Sequence, residues 1–188
     1  METQQIVRVN SLATRSDHTD WTVIDDVLLS RKARDAMANP RKREIHFFHH
    51  GDDDHLHRML NCLQPGSYIR PHRHWDPPKD EAIFLLKGLV GFVSFDDQGN
   101  TGGERFVLLD KNRGFYGIDW RAGVWHTFFA LEADTVVIEM KSGPYAPATD
   151  KDFAPWVPEE GTPEGMRWIA DLEDRFRKHW GMSQRKWD

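Results

Sequence analysis

Two histidines one residue apart, His72 and His74, share the stretch GSYIRPHRHWDPPKDEAIFLLKG (residues 66–88) with Glu81. On an extended strand, side chains at i and i+2 point to one face, so both imidazoles can bind the same ion. Imidazole suits Zn, Cu, Fe and Ni, and one carboxylate beside two histidines is the donor set of open non-haem metal sites. Glu81 opens the next apolar run, AIFLLKG, which can lie antiparallel to the first and return its carboxylate to the same pocket. His126, in RAGVWHTFF, supplies a fourth donor. A chance HxH pair is the competing reading in a chain with ten histidines. The flanking Gly66 and Gly88, and a glutamate on the following strand, favour a metal site built across strands that are distant in sequence. A second histidine group, His46, His49, His50, His55 and His57, is less diagnostic, because adjacent His49 and His50 face opposite ways on a strand.

These donors need a scaffold of short strands, and the chain supplies one. Strands are expected at 44–50, 56–63, 80–87, 89–95, 104–109, 115–120, 125–130 and 134–141, separated by turn sequences such as QPG, DDQGN and DKNRG. Short strands at such regular spacing specify an all-β sandwich or barrel. Before them, residues 1–20 are polar and without period, and read as disordered or as an arm that pairs with a partner subunit. Asp25 or Asp26 can cap a short helix through VLLSRKARDAMA, which Asn39-Pro40 ends. After Met140 comes a Pro-rich stretch, KSGPYAPATDKDFAPWVPEEGTPEG, expected as an extended wrap pinned by Tyr145, Phe153 and Trp156. Thr162 and Pro163 then start a helix with Met166, Ile169, Phe176 and Trp180 at helical spacing, and Gly181 ends it. The chain thus divides into an arm and short helix (1–43), a barrel (44–145), and a wrap with a C-terminal helix (146–188), all within one structural domain.

Composition narrows the function classes. The 188 residues are 39% hydrophobic and 29% charged, with a net charge of −5 and no basic excess that would suggest a nucleic-acid partner. Eight Trp and eleven Phe point to an aromatic-lined interior or interface. The single Cys62 excludes an internal disulfide and fits a reducing compartment. The N-terminus lacks the apolar run of a signal peptide and no segment reaches transmembrane length, so the cytoplasm is the expected location and no membrane partner is expected. The polar arm, the apolar helix face and the many Trp lead us to expect a homodimer.

The spacing Gly66-x5-His72-x-His74-x6-Glu81-x6-Gly88 resembles the first motif of the cupin superfamily, GX5HXHX3–4EX6G, and Gly123-x2-His126 resembles the core of the second, GX5PXGX2HX3N. Here the gap between His74 and Glu81 is six residues rather than three or four, the motif's Pro is Arg121, and its Asn is Ala130. Within the superfamily, residues 41–161 resemble the WbuC-type cupin fold metalloproteins, through PGSYIRPHRH, GVWHTFFAL and EMKSGPYAPATDKDFAPWVPEEG. That resemblance implies a double-stranded β-helix (jelly-roll) barrel with one divalent transition metal, Fe, Zn, Ni or Mn, held by His72, His74, Glu81 and His126. It also implies an association with surface-polysaccharide gene clusters, and it assigns no reaction.

Such a site admits three functions, each with a small-molecule ligand. An isomerase or epimerase would act on a carbohydrate-type or anionic substrate; a dioxygenase would need Fe(II), Ni(II) or Cu(II); a non-catalytic binder or sensor would only hold a chelated ligand. Strand alternation further predicts an anion or hydroxyl clamp. Tyr68 and Arg70 would share the face of His72 and His74, and Glu139 and Lys141 would share one face of the last strand. A guanidinium and an ammonium inside a barrel need partners, so Glu139 would pair with one and leave the other for ligand.

Overall fold

The computed structural model describes residues 5–187. Two sheets face each other around a barrel interior. The first has seven strands in the order β1 (Ile6–Asn10), β2 (Ala13–Ser16), β3 (Arg43–Phe47), β4 (Leu56–Leu63), β11 (Thr135–Ser142), β6 (Glu81–Lys87) and β9 (Gly117–Trp120). The second has five, in the order β12 (Asp152–Phe153), β5 (His72–Arg73), β10 (Trp125–Ala130), β7 (Val90–Phe95) and β8 (Phe106–Leu109). Neighbours run antiparallel except β2 and β3, which are parallel. This is the expected all-β jelly-roll barrel, with two helices attached.

Period-two alternation along the strands divides the interior from the outer layer. On β11, Val137 packs into the barrel with Ile83, Phe92 and Phe128. Val136 and Ile138 face the other way, against the first helix, α1 (Asp26–Ala38), with its Leu28, Leu29 and Ala36. Asp25 caps α1, its carboxylate accepting from the Leu28 amide at 2.9 Å. Around the opposite sheet, helix α2 (Pro163–His179) buries Ile169, Leu172 and Phe176 against Phe106, Leu108 and Phe129. Thr162 caps α2 by accepting from the Gly165 amide. On α2, Glu173 and Arg177 join at 2.6 Å, and Asp174 pairs with Arg185 from the tail.

The N-terminal arm differs from its expectation: from Ile6 on it forms a hairpin that extends this chain's own sheet through β3. The sequence hides this because its burial is polar. Thr14 and Ser16 hydroxyls meet the two ring nitrogens of His46, each at 2.8 Å, and Lys32 reaches Thr14 and Glu44 beneath α1. Of the features that led to the homodimer expectation, the α2 face packs on this chain's own barrel, while the arm joins its sheet and leaves β1 at the open edge. The strand expected at 44–50 stops at Phe47, where Asp54 closes the turn by accepting from the His50 amide. The wrap is extended only in part: the Thr149 and Asp150 amides donate to the Ala146 carbonyl in a turn, after which Asp152 and Phe153 join the sheet as β12.

Candidate metal centre

Three imidazoles come from the five-stranded side and one carboxylate from the facing sheet. His72 lies directly opposite His126 in the β5–β10 register, and His74 follows one residue beyond β5. Glu81 is the first residue of β6. The six-residue gap does not displace it, because Trp75 and Pro78 form a bridged turn that takes up the extra length. One ligand atom from each of the four residues lies within 4.8 Å of the others, and all four residues are buried. His74 Nε2 stands 3.1 Å from Glu81 Oε1, and His126 Nε2 stands 3.3 Å from Oε2.

The backbone sets which nitrogen faces inward. Nδ1 of His72 bonds to the Arg70 carbonyl at 2.9 Å, Nδ1 of His126 to the Val124 carbonyl at 2.9 Å, and Nδ1 of His74 to the Asp150 carbonyl. A carbonyl only accepts, so each Nδ1 carries its proton and each Nε2 is left as an unprotonated donor for a metal. Burial, then the charge of Lys151, holds His72 well below the usual histidine range. Burial likewise brings His126 down to about 4, although Glu81 opposes it. Burial would raise Glu81, but His74, His126 and Lys141 outweigh it and hold the carboxyl at about 2. Buried His74 Nε2 and Glu81 Oε2 have no hydrogen-bond partner among the described residues. Orphaned acceptors gathered around one point fit a divalent cation, with fixed Nδ1–H donors as its outer shell.

Behind His74 lies a charged layer that strand patterns did not reveal. Asp150, from the wrap, accepts from Lys79 at 2.7 Å and from Lys141 at 2.9 Å. Burial opposes its charge, yet Lys141 and Lys79 bring its carboxyl down to about 2. Burial also works against charge on Lys141, but Glu139, Glu81 and Asp150 raise it above its ordinary value. Asp150→Ala leaves two buried ammoniums without their counter-charge beside the centre. We expect metal affinity to fall about 10- to 100-fold in chelator competition, the cost of losing an outer-shell partner. Unchanged affinity would show the layer to be irrelevant to the site.

The centre opens onto a small cavity of about 160 Å³. Its walls include His72, Glu81, His126, Asn61, Glu139, Lys151 and Phe153, with Ile45, Ile69 and Phe128 as an apolar side. Of the four expected clamp residues, Glu139 lines this space, and Asn61 donates to its Oε2 at 2.6 Å. Lys141 lies directly opposite Glu81 on the sheet, 4.0 Å from its carboxylate, and is engaged with Asp150. Tyr68 and Arg70 do not line the cavity. Tyr68 packs against Trp168 of α2 and donates to the Pro158 carbonyl, while Arg70 donates to the Ala154 carbonyl and lies over the Phe153 ring. Residues 64–71 leave the sheet, so strand alternation does not govern where their side chains go.

The second histidine group does not assemble. His46 is bound by Thr14 and Ser16, and His49 stacks on His57 with centroids 4.1 Å apart. Among the described residues only the His72, His74, Glu81 and His126 group has metal-ligand geometry. Residues that alternation could not find (Asn61, Lys79, Asp150, Lys151) sit in a strand interior, a bulged loop and the wrap. The one sequence signal for the last two was the motif ATDKDFAPW.

A family model described as a domain of unknown function, DUF6016, matches residues 24–107, a span that includes His72, His74 and Glu81 but not His126. No curated protein matches the sequence. Among solved structures, KdgF from Halomonas sp. aligns at 19% identity and a TM-score of 0.42, over 56% of this chain and 82% of that one. An RmlC-like cupin protein from Desulfovibrio desulfuricans aligns at 13% identity and 0.40, over 53% and 81%. L-ribose isomerase of Cellulomonas parahominis, bound to L-ribose, aligns at 16% identity and 0.46, over 66% and 72%. No helix among the described residues is long and apolar enough to cross a membrane. The chemistry of the site rests on its own residues.

Proposed function

We propose that this protein is a metal-binding cupin of the WbuC type that acts on a small carbohydrate-type or anionic molecule by isomerase- or epimerase-like proton transfer. The observation that carries the reading is the convergence of His72, His74, His126 and Glu81 within 4.8 Å, with every imidazole held by a backbone carbonyl through Nδ1. Fe, Zn, Ni or Mn would suit this donor set, and when bound would polarise a carbonyl or hydroxyl oxygen of the ligand. Glu139 is the proton carrier in this reading. Burial, then the charge of Glu81, raises its pKa above the ordinary carboxylate range, so it takes up a proton more readily than an exposed glutamate. Asn61 fixes Oε2, which leaves Oε1 to receive and return the proton. The WbuC-type resemblance adds a surface-polysaccharide context.

The apolar wall of Ile45, Ile69 and Phe128 favours a competing reading, an oxygen-dependent dioxygenase, which requires a redox-active metal. Deuterium exchange discriminates the two. Metal-loaded protein incubated in D₂O with a panel of aldoses and sugar acids should label the carbon beside the carbonyl, as read by NMR, and Glu139→Gln should abolish it. Absence of exchange across the panel, with oxygen consumed instead, would overturn the isomerase reading in favour of the dioxygenase.

A further inference from the structure

The basic groups around the cavity are paired, with one exception. Lys79 and Lys141 both bind Asp150. Arg41 and Arg43, at the outer wall, both bind Glu160 at 2.7 Å. Lys151 lines the cavity and has no hydrogen bond or ion pair within 4.0 Å among the described residues. Its placement follows from the turn that ends at Asp150 and the short strand β12 that follows. Asp152 turns outward to Arg73 at 3.3 Å, so its neighbours Lys151 and Phe153 share the opposite face and form one side of the chamber. The Phe153 ring stands 6.2 Å from the His72 ring.

Lys151 is solvent-exposed as well as lining the chamber, so its ammonium is hydrated and available to an incoming anion. It lines the same small chamber as His72 and His126, the imidazoles expected to hold a cation, and two cations facing one chamber repel. Glu139 shares the wall but forms no ion pair with Lys151; it and Glu81 offset the ammonium only through space. An anionic ligand between Lys151 and the metal centre would relieve both charges together. A single free ammonium matches the single charge of a carboxylate, and the 160 Å³ cavity restricts the ligand to a small one.

We infer that Lys151 is a substrate-binding residue that anchors the carboxylate of a small hydroxy or oxo acid, with the acid's neighbouring oxygen turned toward His72, Glu81 and His126. This deepens the proposed function and rests on it, because it requires the metal centre. It narrows the substrate class from carbohydrate-type or anionic molecules to acids, and it gives the Pro-rich wrap a role in recognition.

The test is calorimetric titration of full-length protein, after its metal content has been measured, with glycolate, pyruvate, ethylene glycol and inorganic phosphate. Wild type should bind glycolate or pyruvate and ignore ethylene glycol. Lys151→Met should keep its metal and weaken carboxylate binding about tenfold or more, as expected for losing a charge-assisted hydrogen bond, and Lys151→Arg should recover much of it. Equal binding by Lys151→Met, no carboxylate binding by metal-replete protein, or a preference for phosphate or ethylene glycol would each overturn the inference. A wild type that holds no metal would instead remove the metal-centre reading, and this inference with it. Measuring the metal first separates that failure from the others.

Discussion

His126→Ala should leave the protein at least about a hundredfold weaker in metal affinity, beyond the roughly 10- to 100-fold cost of outer-shell changes. His126 is fully buried and joins the two sheets' contributions: its backbone pairs with His72 in β5 and Ser94 in β7, and its Nε2 faces Glu81. Removing its imidazole takes away one of three nitrogen donors and leaves Glu81 Oε2 without the group opposite it. His72→Ala should behave alike. The ring of His126 also packs against Phe92 and Trp120, so the melting temperature must be followed beside metal content to separate ligand loss from repacking. His49→Ala is the control, since His49 stacks on His57 outside the centre. Full metal occupancy in both His126→Ala and His72→Ala would remove the assignment.

The second large effect is on stability and lies away from the cavity. Lys32 is completely buried under α1, where its ammonium contacts Thr14 at 2.8 Å, Glu44 at 2.7 Å and Asp35 at 2.5 Å. Glu44 is 4% exposed, and its remaining charge partner is Arg8, a largely exposed side chain. Lys32→Met keeps the bulk but leaves the Glu44 carboxylate buried with that partner alone. Breaking a buried pair in this way costs about 3–5 kcal/mol, and urea denaturation should register a loss of that order. Lys32→Met with Glu44→Gln should recover much of it, because the stranded charge is gone. A single variant as stable as wild type, or a double variant no better than the single, would show that this network contributes little.

The barrel and the donor set were legible in sequence because both depend on local periodicity. Period-two strands punctuated by turns located β4, β6, β10 and β11 to within a residue, and the HxH spacing placed His72 and His74 on one face. Glu81 was the weakest inference, since the longer loop could have carried it out of the pocket. The Trp75–Pro78 bridge, which no periodicity encodes, brings it back. Alternation failed at Tyr68 and Arg70 because it was extended into a segment with no strand partner. It also failed at β1 and β2, where Thr14 and Ser16 are buried by hydrogen bonds to His46 rather than by apolar packing, so no hydrophobic signal exists. Asp150 and Lys151 escaped strand alternation for a third reason. They act from an irregular segment whose position is fixed by distant contacts: Lys79 and Lys141 on Asp150, and the pairing of Phe153 with His72.

X-ray absorption on protein purified without an affinity tag tests the central claim most directly, because it identifies the metal and counts its neighbours at once. The account predicts one divalent transition metal per chain, surrounded by three imidazole nitrogens and one or more oxygens at about 2.0–2.2 Å. Cys62, the one cysteine, is buried under α1 in a different cluster from the cavity wall, so no sulfur should appear. A sulfur neighbour, a shell without imidazole, or a chain that takes up no metal even when it is supplied would contradict the account.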